Sequence, residues 1–175
     1  MIVPERIGHV VIKVRDLERS RKFYTEVLGL TQMMELPEFK MVFFASNGRD
    51  HHELACIEVG KDADAQRFRE IGLQHIAFRL QDEDRLRDAY MEFKERAVPI
   101  DFTVDHGITK SVYFRDPDGH QLEVYCDNSP EYVAKFRTNT YAGMEKLDFA
   151  QNEPSIADAF GKMSSRIEKG ARPSA

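Results

Sequence analysis

Gly8–Leu30 reads GHVVIKVRDLERSRKFYTEVLGL, and Gln74–Val98 reads QHIAFRLQDEDRLRDAYMEFKERAV. At one constant offset His9 falls on His75, Asp16 on Asp82 and Tyr24 on Tyr90, the agreement expected of an internal duplication. Each copy opens on a run of apolar residues typical of a buried strand. An Asp then stands where a helix needs its cap. The apolar residues that follow recur at helical spacing: Leu17, Phe23, Tyr24, Val27 and Leu28 in the first copy, Leu86, Ala89, Tyr90 and Phe93 in the second. Gly29 stops the first helix, and Pro99 lies beyond the second.

Three short strands are predicted after each helix. In the first copy they cover about 31–36, 40–46 and 51–59, broken by Pro37 and by Ser46-Asn47-Gly48; in the second, about 100–104, 109–115 and 121–126, broken by the turn Asp116–Gly119. Each copy is therefore βαβββ. The fold class expected is α+β, with two such modules, about 5–60 and 71–127, forming one domain over 1–127. The modules are expected to pair into a curved mixed sheet. Residues 128–175 do not repeat. Within them Ile156, Phe160, Met163 and Ile167 predict an amphipathic helix over about 155–169.

Composition narrows the function classes. With 42% hydrophobic residues in 175, the chain can bury one substantial core. A formal charge of -5 and no run of Lys or Arg longer than two exclude a nucleic-acid-binding field. The opening apolar run is far shorter than the ~20 residues that span a bilayer and has no signal-peptide layout, so no membrane partner and a cytoplasmic location are expected. Cys56 and Cys126 lack zinc-site spacing and read as structural thiols.

Some polar residues fall where a core does not need them. His9 and His75 head equivalent strands, and Glu123 lies between Leu122 and Val124. Taken singly, each has a bland reading as a solvent-facing or hydrogen-bonded side chain. Duplication changes this, because two modules packed about a pseudo-twofold axis bring His9 and His75 together, and two unpaired imidazoles are costly to bury. A metal stabilises both. With Glu123 they form two imidazoles and one carboxylate, a set that suits Fe(II) and leaves positions open.

The paired βαβββ units with His9, His75 and Glu123, and the phrases DLERSRKFYTEVLGL and FRDPDGHQLEVY, resemble the vicinal oxygen chelate superfamily over residues 5 to about 127. That superfamily includes glyoxalases, fosfomycin-resistance enzymes and type I extradiol ring-cleavage dioxygenases. The stretch HGITKSVYFRDPDGHQLEVY, His106–Tyr125, is most similar to the extradiol signature. The resemblance implies an Fe(II)-dependent dioxygenase, with Mn(II) or another divalent metal as the alternative, acting on a small-molecule aromatic substrate with vicinal hydroxyls and on O2. It implies His9, His75 and Glu123 as metal ligands. It implies His106 and Tyr113 as hydrogen-bonding partners of the substrate oxygens, and a histidine on the last strand of the first copy, His52 rather than His51, as the acid–base group.

Other readings stay open. A glyoxalase-like isomerase uses a fourth ligand where Glu53 stands. A fosfomycin-resistance-type enzyme shares the Asp-Pro-Asp-Gly-His segment and a tail like Tyr141–Met144, but this chain has Val11 where those enzymes have threonine and Tyr132 where they have arginine. A metal-free drug-binding protein predicts loss of a ligand, yet all three are present. Phe39, Phe43, Phe44, Phe102 and Phe114 either line a pocket or fill the core. A homodimer or higher homo-oligomer is compatible with the resemblance.

Overall fold

A computed structural model describes residues 1–46, 48, 50–65, 70–131, 134 and 144–161. Tyr132, Tyr141, Ala142, Gly143, Met163 and Ile167 lie outside the described residues. The chain divides into two compact units: Met1–Ala65 with Asp116–Gly119, and Gln66–Arg115 with His120–Ala175. The architecture is α+β, with a four-stranded mixed sheet and a long helix in each unit.

In the first unit β1 (Val10–Val14) is followed by α1 (Leu17–Glu26), β2 (Thr31–Leu36), β3 (Met41–Ala45) and β4 (Leu54–Glu58), in sheet order β1-β4-β3-β2. β1 runs parallel to β4 and the other pairs are antiparallel. Asp16 caps α1 as the sequence requires, its Oδ1 accepting the Arg19 N–H at 3.0 Å. Gly29, at φ +66°, takes the left-handed conformation that ends the helix. The helix buries Leu17, Phe23 and Tyr24, the last against Phe44.

The turn Asp116–Gly119 belongs to this unit and not to the hairpin that carries it. Asp116 Oδ2 accepts the buried Tyr24 hydroxyl at 2.9 Å. Asp118 takes Arg15 at 3.2 Å and Arg19 at 2.6 Å. The Asp-Pro-Asp-Gly sequence thus does more than reverse the chain: its two carboxylates hold the α1 region. His120, beside it, is half-buried.

The second unit repeats the plan: β5 (Ile76–Arg79), α2 (Glu83–Glu95), β6 (Ile100–Asp105), β7 (Thr109–Arg115) and β8 (Gln121–Asp127), in order β5-β8-β7-β6. Asp82 caps α2 through the Arg85 N–H at 3.0 Å. Strand alternation gives this sheet two different faces. One face carries Phe114 and Leu122 and packs on α2, where Phe93 and Phe114 have ring centroids 4.4 Å apart. The other carries Phe102, Tyr113 and Glu123 in one transverse row, Phe102 paired with Tyr113 and Tyr113 with Glu123.

The non-repeating tail is built onto this second unit. Glu145 forms an antiparallel bridge to Asp105, at the end of edge strand β6. Phe149 packs on Tyr90 and beneath Arg87, both on α2. A helix then covers 156–161 among the described residues, opened by a reciprocal cap in which Ser155 Oγ accepts the Asp158 N–H at 3.1 Å and Asp158 Oδ2 accepts the Ser155 N–H at 3.2 Å. Its buried contact is made by Ala159 and the partly buried Ile156, whereas Phe160 keeps 45% exposure. Phe160, which the spacing predicts on the packed face, still meets Phe102 at a ring-centroid distance of 6.3 Å, beside the small, buried Ala159.

Candidate functional site

The second unit concentrates the polar residues on one face. Glu123 faces away from α2 because Leu122 and Val124, both buried, face toward it. His75 immediately precedes β5 and stands two residues before Ala77, the strand partner of Glu123. The period of two brings it to the same side. His75 Nε2 lies 3.0 Å from Glu123 Oε2, with the carboxylate 8% and the imidazole 34% exposed. Burial pushes the Glu123 carboxyl up, but interactions with His75, Ser111 and Tyr113 outweigh it and leave the group below the ordinary glutamate value. Glu123 is therefore an anion held inside the protein.

Tyr113 sits between this pair and His106. Its ring stands edge-on to His75 at 5.4 Å and stacks on Phe102 at 4.3 Å. Its hydroxyl lies 3.4 Å from His106 Nε2. Burial, then the charge of Glu123 and a hydrogen bond to it, raise the phenol well above the ordinary tyrosine value. Tyr113 is thus an un-ionised donor at neutral pH. His106 is placed by its backbone N–H, which donates to Thr109 O at 2.8 Å, and by the turn at Gly107, φ +82°.

The first unit holds a second histidine group. His9 immediately precedes β1, and its ring lies 4.4 Å from His52 and 6.3 Å from His51. The sequence predicts a strand over 51–59 that carries His51 and His52 and turns only one of them to the site. The structure corrects this: β4 starts at Leu54, and both histidines lie in the connection before it. The reason lies in Glu53, whose carboxylate turns back to accept the Ser46 N–H at 2.6 Å and its hydroxyl at 2.5 Å. Its backbone N–H begins the ladder at Phe44 O, 2.9 Å. Strand alternation does not apply before that point, and the His51 and His52 rings lie 4.3 Å apart. His52 also meets the edge of Phe43 at 4.9 Å. Burial, followed by the neighbouring His51 and His9 charges, lowers its pKa below the ordinary histidine value.

The remaining aromatics divide between roles. Phe44 and Phe114 are fully buried core, Phe43 and Phe102 meet His52 and Tyr113, and Phe39 is exposed. Cys56 and Cys126 are unpaired and buried, and burial raises both thiols. Neither is an activated nucleophile.

Among the described residues, no three His, Cys, Asp or Glu side chains stand in a ready-made metal cluster. His75 and Glu123 are brought together in the second unit; His9 belongs to the first, beside His52. Sequence reasoning missed Glu153, a buried carboxylate that accepts Tyr90 Oη at 3.1 Å and Lys94 Nζ at 2.7 Å. The one available signal was an acidic residue just ahead of a predicted apolar helix.

Comparison with known proteins assigns the fold to a family. Residues 6–124 match the Glyoxalase/Bleomycin resistance protein/Dioxygenase superfamily. The chain belongs to this superfamily. It is 28% identical over 163 residues to biphenyl-2,3-diol 1,2-dioxygenase 3 of Rhodococcus globerulus, covering 91% of this chain and 84% of that one. It is 29% identical over 136 residues to catechol-2,3-dioxygenase of Bacillus subtilis, covering 77% of this chain but only 46% of the relative. Metallothiol transferase FosB of Staphylococcus epidermidis is 27% identical over 134 residues, covering 75% and 90%. A solved glyoxalase/dioxygenase from Nostoc punctiforme shares the fold, with a TM-score of 0.63 and 22% identity over 74% of this chain and 97% of that one.

Within the superfamily frame, the donor chemistry of the second unit fits a divalent ion. An imidazole nitrogen and a buried, ionised carboxylate oxygen already converge, and both are donor atoms of the kind that hold a divalent metal. No helix among the described residues is long and apolar enough to cross a membrane.

Proposed function

We propose that the protein is an Fe(II)-dependent extradiol dioxygenase that opens the ring of a catecholic substrate with O2. The observation that carries the reading is the second-unit row itself: His75 against Glu123, with an un-ionised Tyr113 and then His106 at its edge. His75 and Glu123 would hold the ion, with His9, the repeat partner of His75, as third ligand. When bound, Fe(II) supplies a common site for the two vicinal oxygens of a catechol and for O2.

The chain's own groups orient the substrate and move protons. Tyr113 donates a hydrogen bond from its hydroxyl to a substrate oxygen, a role its raised pKa preserves at neutral pH. His106, within reach of that hydroxyl, holds or exchanges the proton at Nε2. His52, with its lowered pKa, stands neutral at pH 7 and accepts a proton as the general base. Phe102, stacked behind Tyr113, keeps water from the phenol ring. The similarity to two ring-diol dioxygenases supports this reading.

The glyoxalase-like alternative needs Glu53 as a ligand, but that carboxylate closes the Ser46 turn. A fosfomycin-type thiol transferase draws support from the FosB similarity. Reconstitution under argon with Fe(II), or separately with Mn(II), followed by a panel that includes catechol, biphenyl-2,3-diol and fosfomycin with thiols, separates the two. The proposal expects a yellow ring-opened product from a diol with Fe(II) and no thiol adduct. An adduct from fosfomycin with Mn(II), and every diol inert, would move the assignment to the transferase.

A further inference from the structure

The segment from Met144 to Gly161 reaches both members of the His106–Tyr113 pair by separate routes. At one end the Asp105 N–H donates to Glu145 O at 2.7 Å, fixing the backbone next to His106. At the other, Ala159 and Ile156 join Phe102, Val104 and Tyr113 in a single apolar cluster on the face that carries Glu123. Between these points the segment is tied to α2, on the opposite face: Glu153 is buried between Tyr90 and Lys94, and Phe149 packs on Tyr90. The segment therefore passes around edge strand β6 from one face of the sheet to the other.

An edge strand is the least restrained part of a sheet. β6 supplies Phe102, against which Tyr113 stacks, and ends at the residue before His106. The equivalent edge in the first unit, β2, leaves Met33 and Met34 exposed. Support has been added at the edge where the polar pair sits. We propose that residues 144–161 form a strap that positions Tyr113 and His106 for the reaction, with Glu153 as the positioning residue that anchors it. The proposal rests on the ring-cleavage reading for its catalytic consequence, but not for its structural one.

Glu153→Ala should release the anchor, while Glu153→Gln, which can still accept from Tyr90 and Lys94, should restore it. Hydrogen exchange of the peptide covering 102–113 is measured alongside steady-state kinetics on a catechol. Release should speed exchange there at least about tenfold, leave the α1 peptide unchanged, and lower kcat about tenfold with KM nearly constant and iron content full. If Glu153→Ala does not fold, Ile156→Ala makes the same comparison from the other contact. Unchanged exchange at 102–113 overturns the strap whatever the activity. Faster exchange with undiminished kcat overturns its catalytic role. Faster exchange in a protein whose wild type leaves every catechol intact supports the strap and overturns the ring-cleavage reading instead.

Discussion

His75 Nε2 and Glu123 Oε2 meet at 3.0 Å, one from the residue before β5 and the other from the middle of β8. Parallel pairing of those strands sets the contact, since Ala77 opposite Glu123 leaves room on the face that His75 enters. A carboxylate that is buried yet held ionised is a strong ligand for a divalent ion.

Glu123→Gln keeps the shape and removes the charge. Iron retained after desalting should fall at least about tenfold, and activity should vanish, while circular dichroism stays that of the folded protein. Full iron occupancy in this variant would remove Glu123 from the ligand set.

His106→Asn and Tyr113→Phe test the neighbouring pair. Both should keep iron, because neither is a proposed ligand, and both should lose turnover, by a factor on the order of 10² where a positioned proton-transfer group is lost. If Tyr113 only donates a hydrogen bond, its loss should be nearer tenfold, or ~1.4 kcal/mol. Full activity in both variants would make the pair structural.

Much of this was legible in the sequence, for reasons that can be named. The repeat, the caps at Asp16 and Asp82 and the strands of the second copy follow from local periodicity and turn chemistry, and each lies within a residue or two of its expected place. What stayed hidden depends on contacts between distant residues. Asp116 meets Tyr24 across 92 positions and Glu153 meets Tyr90 across 63, and no period in the sequence records such a meeting. The pair His51–His52 was misplaced for a local reason of a different kind, because a side chain, Glu53, closes the turn and delays the strand.

The two adjacent histidines should differ in effect despite sharing a cluster. His52 is nearer His9, at 4.4 Å against 6.3 Å for His51. His52→Ala should therefore cost on the order of 10² in kcat, and His51→Ala under about tenfold through loss of its contact with the His52 ring. Equal losses, or a larger one for His51, would reverse the assignment.

The buried Tyr24–Asp116 bond predicts an alkaline weakness. Burial, then the Asp116 charge, raises the Tyr24 phenol well above its ordinary value of 10.0. A group whose folded pKa is raised gives stability that is complete below the unfolded pKa and is lost as pH rises toward the folded one. Urea midpoints should hold to about pH 9 and then fall steeply. Tyr24→Phe should lower stability at pH 8 by ~1–3 kcal/mol, because Asp116 loses a buried partner, yet show a shallower decline above pH 10. A decline as steep as the wild type's would place the alkaline transition elsewhere.

Oxygen stoichiometry is the decisive test of ring cleavage. Protein reconstituted with Fe(II) under argon is mixed with a limiting amount of the best catechol in oxygenated buffer, and dissolved oxygen is followed at an electrode while the product is quantified. One O2 should be consumed for each ring opened, with uptake ending when the catechol is exhausted. Ring-opened product without oxygen uptake, or no product from any vicinal diol in protein that carries its iron, would contradict the dioxygenase reading.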